Sequence, residues 1–383
     1  MAAIQQLPAN VVNKIAAGEV VERPASVVKE LMENAIDAGA TRIDVILQKG
    51  GLQGIRVVDN GRGIPADQLT LAVASHATSK IRSDEDLFRV GTLGFRGEAL
   101  ASIGSISRLQ IRSRTASDSC AAELEVVGGQ VASPIPSAGP EGTSIDVADL
   151  FFNTPVRRKF LRTTQTEASH ATEAFTRLAL AYPSLHFTLN SNQRTVYDLP
   201  PCDSWRERIA TFFGNELADS LIGVQSEDEQ TCLSGYVANP AVSRANNRMQ
   251  YLFLNGRFIR DRSLQHALSE AYRGLLMTGR YPVSFLKLDM PAQLVDVNVH
   301  PTKMEVKFRD GGRIYSQLLS TIRNRFLNTD LTARLEAPPP PGGEPPNAPS
   351  STHRPPPTLP LPTTPDHHPS RLPAQDSPIP PFP

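Results

Sequence analysis

PASVVKELMENAIDAGATRIDVILQKGGLQGIRVVDNGRG, residues 24–63, changes its hydrophobic period partway along and so decides the fold class. From Ser26 to Ala38 the apolar residues Val27, Val28, Leu31, Ala35 and Ile36 form one stripe of a helix, while Glu30, Asn34 and Asp37 recur at i, i+4 and i+7 on another. Pro24 just before and Gly39 just after give the usual asymmetry of helix ends. From Arg42 to Gln48 the period becomes two, with Ile43, Val45 and Leu47 on the inward side. Gly50, Gly51 and Gly54 supply a turn, and Ile55 to Val58 form a second apolar run. The stretch therefore predicts a helix followed by a hairpin that ends at Asp59. Directly after it, Asp59-Asn60-Gly61-Arg62-Gly63 places two glycines where the backbone can turn sharply and pass close to a ligand.

Farther along, GTLGFRGEALASIGSI at 91–106 carries glycines at short spacing and then runs into a helical pattern, as expected of a phosphate-facing loop followed by a helix. Ile111 to Val131 and Thr143 to Val147 read as strands, and Thr166 to Ala181 as a helix stopped by Tyr182 and Pro183. Punctuation at Pro200 to Asp203 suggests a change of unit, and a new alternation of strands and helices runs from about Leu233 to Leu327. These signals divide the chain into a first domain at 1–215, a smaller second at 216–335, and a tail at 336–383. Nineteen of the 33 prolines fall in the last 46 residues, among few large apolar side chains, so the tail is expected to be a disordered linker. His353, His367 and His368 lie in it as solvated histidines.

Lys plus Arg equals Asp plus Glu at 39 each, so no global field draws the protein to nucleic acid or membrane, and DNA binding would need a local basic patch. Three cysteines far apart, Cys120, Cys202 and Cys232, have neither zinc nor redox-pair spacing. No apolar run is long enough to span a bilayer, and the first thirty residues lack a secretion signal. A cytoplasmic protein is the expectation.

There is no G-x-x-x-x-G-K-[ST] loop, and the glycines lack the strand-to-helix setting of a dinucleotide fold, so any phosphate site is of another design. The ordered set E-x-x-x-N at 30–34, D-x-G-x-G at 59–63, G-x-x-G-x-x-G at 91–97 and G-T at 142–143 resembles the GHKL ATPases. That class includes gyrase B, the ninety-kilodalton heat-shock chaperone, histidine kinases and MutL. Within it, KIAAGEVVERPASVVKELMENAIDAGA at 14–40, HATSKI at 76–81 and LFFNTPVRRKF at 150–160 resemble the MutL-type mismatch repair family. LNGRFIRDR at 254–262 and DVNVHPTKMEVKF at 296–308 are similar to its second-domain motifs.

The resemblance implies an α+β fold: a GHKL (Bergerat) sandwich with a mixed sheet covered by helices, then a smaller ribosomal-protein-like transducer domain. It implies ATP and Mg2+ as cofactors, Glu30 as general base, and Asn34 as the protein ligand of the metal. Glu33, three residues away, is set aside by the family pattern and not by periodicity. Asp59, with Thr143 beside it, would accept from the adenine amine, while Asp37, Gly61 and Gly63 would line the same pocket. Phosphates would meet the loop of Gly91, Leu93, Gly94, Phe95, Arg96 and Gly97, the helix start at Glu98, and more weakly Thr78, Ser79 and Lys80. Lys303 would reach the terminal phosphate from the second domain. Arg157, Arg158 and Lys159, with Arg257, Arg260 and Arg262, are candidates for salt-sensitive DNA contacts. The implied partners are DNA, a mismatch-recognition protein of the MutS type, a downstream endonuclease and helicase, and a second copy of the chain on ATP binding. Family members of this type usually continue past the linker into a C-terminal dimerisation domain. Competing readings are a topoisomerase-like or chaperone ATPase of the same class, or a DNA scaffold that binds the nucleotide without significant turnover.

Overall fold

The computed structural model describes residues 5, 17–18, 20–80, 93–94, 97–296, 305–329 and 331. All belong to the first of two units, Met1–Ala333, the other being Arg334–Pro383. Gly91, Phe95, Arg96, Lys303 and the proline-rich tail at 336–383 lie outside the described residues.

Helix α1 is Pro24–Asp37, beginning two residues before the expected start because proline, with no N–H to satisfy, fits the first turn. Val27, Val28, Leu31, Met32 and Ala35 are buried, whereas Ile36 at the edge of the stripe is half-buried. Strand β1 (Arg42–Gln48) pairs antiparallel with β2 (Gly54–Asp59), with Ile43 opposite Asp59. Ile43, Val45 and Leu47 point into the core, as their alternation requires.

The sheet grows by β3 (Arg108–Arg114), β4 (Ala121–Val127), β5 (Gln130–Val131), β6 (Ile135–Ser137), β7 (Gly142–Ala148), β8 (His186–Ser191) and β9 (Arg194–Leu199). Among the described residues it has nine strands in the order β5-β4-β3-β7-β2-β1-β8-β9, with β6 on β4. The pairing of β1 with β8 is parallel and makes the sheet mixed. Such a pair needs a crossover, and the crossover contains helix α3 (Thr164–Ala181). Helices α1, α2 (Ala99–Ile106) and α3 share one buried cluster with the inner-face residues of β1, β2, β3 and β7.

A second sheet begins at Leu221, earlier than the alternation from Leu233. The first strand, LIGVQSE, has only two fully buried residues and leads into an acidic turn, which weakens its periodic signal. Its strands are β10 (Leu221–Glu227), β11 (Cys232–Ala238), β12 (Gln250–Leu254), β13 (Arg257–Ile259) and β14 (Ser284–Asp289), in the order β10-β11-β14-β12-β13. Helices α5 (Arg262–Ala271) and α6 (Gly311–Leu327) bury Leu264, Leu268, Ile314, Leu318 and Ile322 in the cluster that this sheet shares. Helix α4 (Trp205–Phe213) lies between the sheets, where Trp205, Tyr251, Phe253 and Phe285 form a third cluster with Leu180 of α3. No helix among the described residues is long and apolar enough to cross a membrane.

Candidate active site

A cavity of about 820 Å³ opens between α1, the end of β2, the start of β7 and the start of α2. This is within the roughly 300–1,000 Å³ typical of small-ligand sites. One helix turn apart on α1, Glu30 and Asn34 stand in its wall, with Asp37 a turn beyond. The helical period that buries Val27, Leu31 and Ala35 is what turns these three toward the opening. A shallower groove of about 390 Å³ on the opposite sheet face involves Arg42, Asp44, Thr188 and Asp198. Its charged groups are already engaged, Arg42 with Asp44 at 3.0 Å and Asp198 with His186 at 2.8 Å, and none of the motif residues reaches it. The chemistry therefore belongs to the larger cavity.

Asp59 and Thr143 face each other across β2 and β7, both lining the cavity. Burial raises the Asp59 carboxyl above its ordinary 3.8, and N–H groups of Gly61 and Thr143 counter this in part. The Gly61 bond to Asp59 Oδ1 is 2.8 Å. A Cβ at Gly61 would lie 2.9 Å from both Ala38 Cβ and Asp59 Oδ1. At Gly63, with φ of +72°, it would lie 2.2 Å from the Arg114 carbonyl, so only glycine carries the chain past this corner.

Motif reasoning alone passes over Ser113. Its buried hydroxyl donates to the Gly142 carbonyl at 3.0 Å, lies 3.0 Å from Thr143 Oγ1, and accepts from the Ile64 N–H at 2.8 Å. It ties the turn after Asp59 to the start of β7. A sequence signal for it exists: Leu109, Ile111 and Ser113 alternate onto the buried face of β3, so the third is a hydroxyl at a core position.

Around Asp37 several candidates converge. Its carboxylate accepts from Lys80 Nζ at 2.6 Å, Leu93 N at 3.0 Å and Gly94 N at 3.1 Å. Lys80 Nζ also donates to Asn34 Oδ1 at 2.9 Å. The Asn34 amide oxygen and the Asp37 carboxylate thus hold a cation between them, and this oxygen donor set also suits a hard metal ion. Thr78 accepts from the Lys80 N–H at 3.2 Å and is half-buried, while Ser79 is exposed. Gly97 and Glu98 line the cavity just before α2, and Glu98 pairs with His76 at 3.3 Å.

Glu30 and the buried Glu33 share the Lys29 ammonium at 2.8 Å and 2.9 Å. Behind α1, Tyr182 is pushed up to about 12 by burial, then by the charges of Asp37 and Glu33, against the opposing Arg257.

The basic candidates divide. Arg158, Lys159, Arg260 and Arg262 are exposed, and Arg157 is half-buried with its guanidinium packed on Gly18. Arg257 departs from the expectation of a DNA contact. It is 8% exposed and donates to the Leu93 carbonyl at 2.9 Å, so as placed it faces the loop beside Asp37 and not a surface that DNA could reach.

A helix with a carboxylate and an amide facing a cavity, a buried aspartate at the end of a strand, and glycine corners around them define an ATPase site of the GHKL class. Residues 22–139 match the family described as histidine kinase-, DNA gyrase B- and HSP90-like ATPase, and residues 209–327 match the DNA mismatch repair protein, C-terminal domain family. A MutL ATPase domain from Aquifex aeolicus solved with ADP is 32% identical with a TM-score of 0.53, and the alignment covers 71% of this chain and 93% of that one. The N-terminal domain of a DNA repair protein superposes with a TM-score of 0.71 at 26% identity, over 83% of this chain and 98% of that one. The DNA mismatch repair protein MutL of Neisseria meningitidis (serogroup C, serotype 2a) is 46% identical over 334 residues, 87% of this chain and 51% of that protein. The chain belongs to the MutL family of DNA mismatch repair proteins and carries its ATPase domain. It spans about half the length of the curated relatives it matches.

Proposed function

We propose that this chain binds and hydrolyses ATP with Mg2+ and uses the nucleotide as a slow switch in DNA mismatch repair. The observation that carries the reading is the placement of Glu30 and Asn34, one turn apart, in the wall of the cavity that Asp59 and Thr143 close at another end. Asp59 accepts a hydrogen bond from the exocyclic amine of adenine, which discriminates against guanine because guanine presents a carbonyl there. The backbone N–H groups of the loop at 91–97 and the start of α2 meet the phosphates. Asn34 is the protein ligand of the magnesium ion. When bound, that ion neutralises charge on the phosphate oxygens.

Glu30 takes a proton from a water molecule whose oxygen bonds to the terminal phosphorus. The bond from that phosphorus to the bridging oxygen breaks, and its electron pair leaves with ADP. Lys303 supplies positive charge at the terminal phosphate. Residues 1–215 form the ATPase domain, 216–335 the transducer domain and 336–383 a linker. Occupancy is read out as the pairing of two chains on DNA, with a MutS-type mismatch-recognition protein upstream and an endonuclease and helicase downstream, in a bacterial cytoplasm at the nucleoid. Arg158, Lys159, Arg260 and Arg262 serve as phosphate contacts for DNA, with Arg157 at the edge of the same set.

The test compares steady-state ATPase rates. Glu30→Gln is expected to bind nucleotide at wild-type affinity and lose turnover by roughly 10²- to 10⁴-fold, while Asn34→Ala loses the magnesium-dependent part of binding. Undiminished turnover in Glu30→Gln would remove the base assignment. Sizing with a non-hydrolysable ATP analogue tests the pairing.

A further inference from the structure

Glu30 lines the cavity, but neither Lys29 nor Glu33 does. Lys29 nevertheless reaches Glu30 Oε1 at 2.8 Å from outside the cavity, and on its other side meets Glu33 Oε2 at 2.9 Å. The contact with Glu33 is an ordinary i to i+4 neighbour pair, but the contact with Glu30 does not follow from helix geometry. Neighbours at i and i+1 do not face each other on a helix, and lysine four residues before glutamate is the less favourable order. The lysine stem must therefore fold along the helix to bring one ammonium between two carboxylates.

Side-chain exposure falls from 24% at Lys29 to 13% at Glu30 and 3% at Glu33. Buried Glu33 is thus the fixed end of the arrangement, and the cavity-facing Glu30 is the end being held. Burial by itself would pull the Lys29 ammonium down. The charges of Glu33 and Glu30, with their hydrogen bonds, outweigh it and lift the group above the ordinary lysine value, so the bridge stays charged at neutral pH.

We infer that Lys29 is a positioning residue for hydrolysis: anchored by Glu33, its ammonium fixes the orientation of the Glu30 carboxylate that receives the proton of the attacking water. A glutamate side chain has three rotatable bonds, and one held from behind the cavity does not have to be ordered as the reaction occurs. The ammonium also favours the ionised carboxylate, which is the form a base must have. This inference rests on the assignment of Glu30 as base, and the experiment separates the two.

Steady-state kinetics of the whole chain are measured for Lys29→Met, Glu33→Gln, Glu30→Gln and the double variant Lys29→Met/Glu30→Gln. A fluorescent ADP analogue checks that each site is folded. Lys29→Met is expected to lower kcat by about tenfold, by analogy with the lower end of losses seen when the outer partners of metal ligands are removed, with KM for ATP within about twofold of wild type. Glu33→Gln keeps the side-chain shape and is expected to give the same split at smaller size. It carries the test alone if Lys29→Met does not bind the analogue. In single turnovers the double variant is expected to be no slower than Glu30→Gln, because nothing remains to be positioned. Wild-type kcat in both Lys29→Met and Glu33→Gln, a rise confined to KM, or a loss that multiplies the effect of Glu30→Gln would each overturn the inference. Full turnover in Glu30→Gln alone would instead remove the base assignment.

Discussion

Replacing Asp59 by asparagine separates binding from stability, because the two effects run in opposite directions. The variant keeps the shape of the side chain and an oxygen able to accept from the Gly61 N–H, now 2.8 Å from Asp59 Oδ1. The other end then becomes an NH2 group, which meets the adenine amine as donor against donor. A hydrogen bond to a charged acceptor contributes about 1.5–3 kcal/mol. At about 1.4 kcal/mol per decade, its loss weakens ADP binding roughly tenfold to 150-fold. Without nucleotide the substitution relieves the fold. Burial raises the Asp59 carboxyl above 3.8, so as pH climbs from 3.8 through the raised value the unfolded chain gives up its proton before the folded one does. Stability falls across that window and stays lower above it. Asparagine does not titrate, so at pH 7 the unliganded variant melts at or above the wild-type temperature, and the difference shrinks on the acid side of the window. Calorimetric titration with ADP and melting curves at several pH values measure both arms. Wild-type affinity for ADP, or a loss of affinity matched by a fall in the unliganded melting temperature, would refute the reasoning.

Arg208 is 1% exposed and donates to the carbonyls of Pro183, Leu185 and Pro200 at 2.7, 3.1 and 2.8 Å, so Arg208→Met leaves buried carbonyls without a donor. At about 1–3 kcal/mol for each buried carbonyl left unsatisfied, the change should lower the melting temperature by roughly 10 °C. A fall of under about 2 °C would show that water replaces the guanidinium. For DNA, Arg158→Glu combined with Lys159→Glu should flatten the dependence of log K on log salt by about two units, whereas Arg257→Ala should leave that slope as it is. Fluorescence anisotropy across a salt series reads both, and an unchanged slope in the double variant rules out those phosphate contacts.

How much of the fold is legible in the sequence depends on the reach of the local pattern. The change from a period near 3.6 to a period of two between Ala38 and Arg42 places α1, β1 and β2, because each element is defined by its own neighbours in sequence. The same local logic sets Glu30, Asn34 and Asp37 on one helix face. It cannot show that β8 lies parallel beside β1, since that pairing joins residues about 140 positions apart and has no local signature. Arg257 escapes for a related reason: an arginine in a basic motif defaults to the surface, and only the tertiary fold reveals Leu93 opposite its guanidinium. Lys29 is the sharper case. Its partners are its own near neighbours in sequence, yet spacing rules argue against an i to i+1 contact, and what turns the lysine toward Glu30 is the buried Glu33 carboxylate on its far side. Ser113 differs from all of these, because the strand alternation does place a hydroxyl in the core. A polar group at a position reserved for apolar side chains must find partners, and here they are the Gly142 carbonyl, the Thr143 hydroxyl and the Ile64 N–H, all around the Asp59 end of the cavity. In a strand whose inner face is otherwise Leu109 and Ile111, that single hydroxyl is a mark of the site carried by the sequence itself.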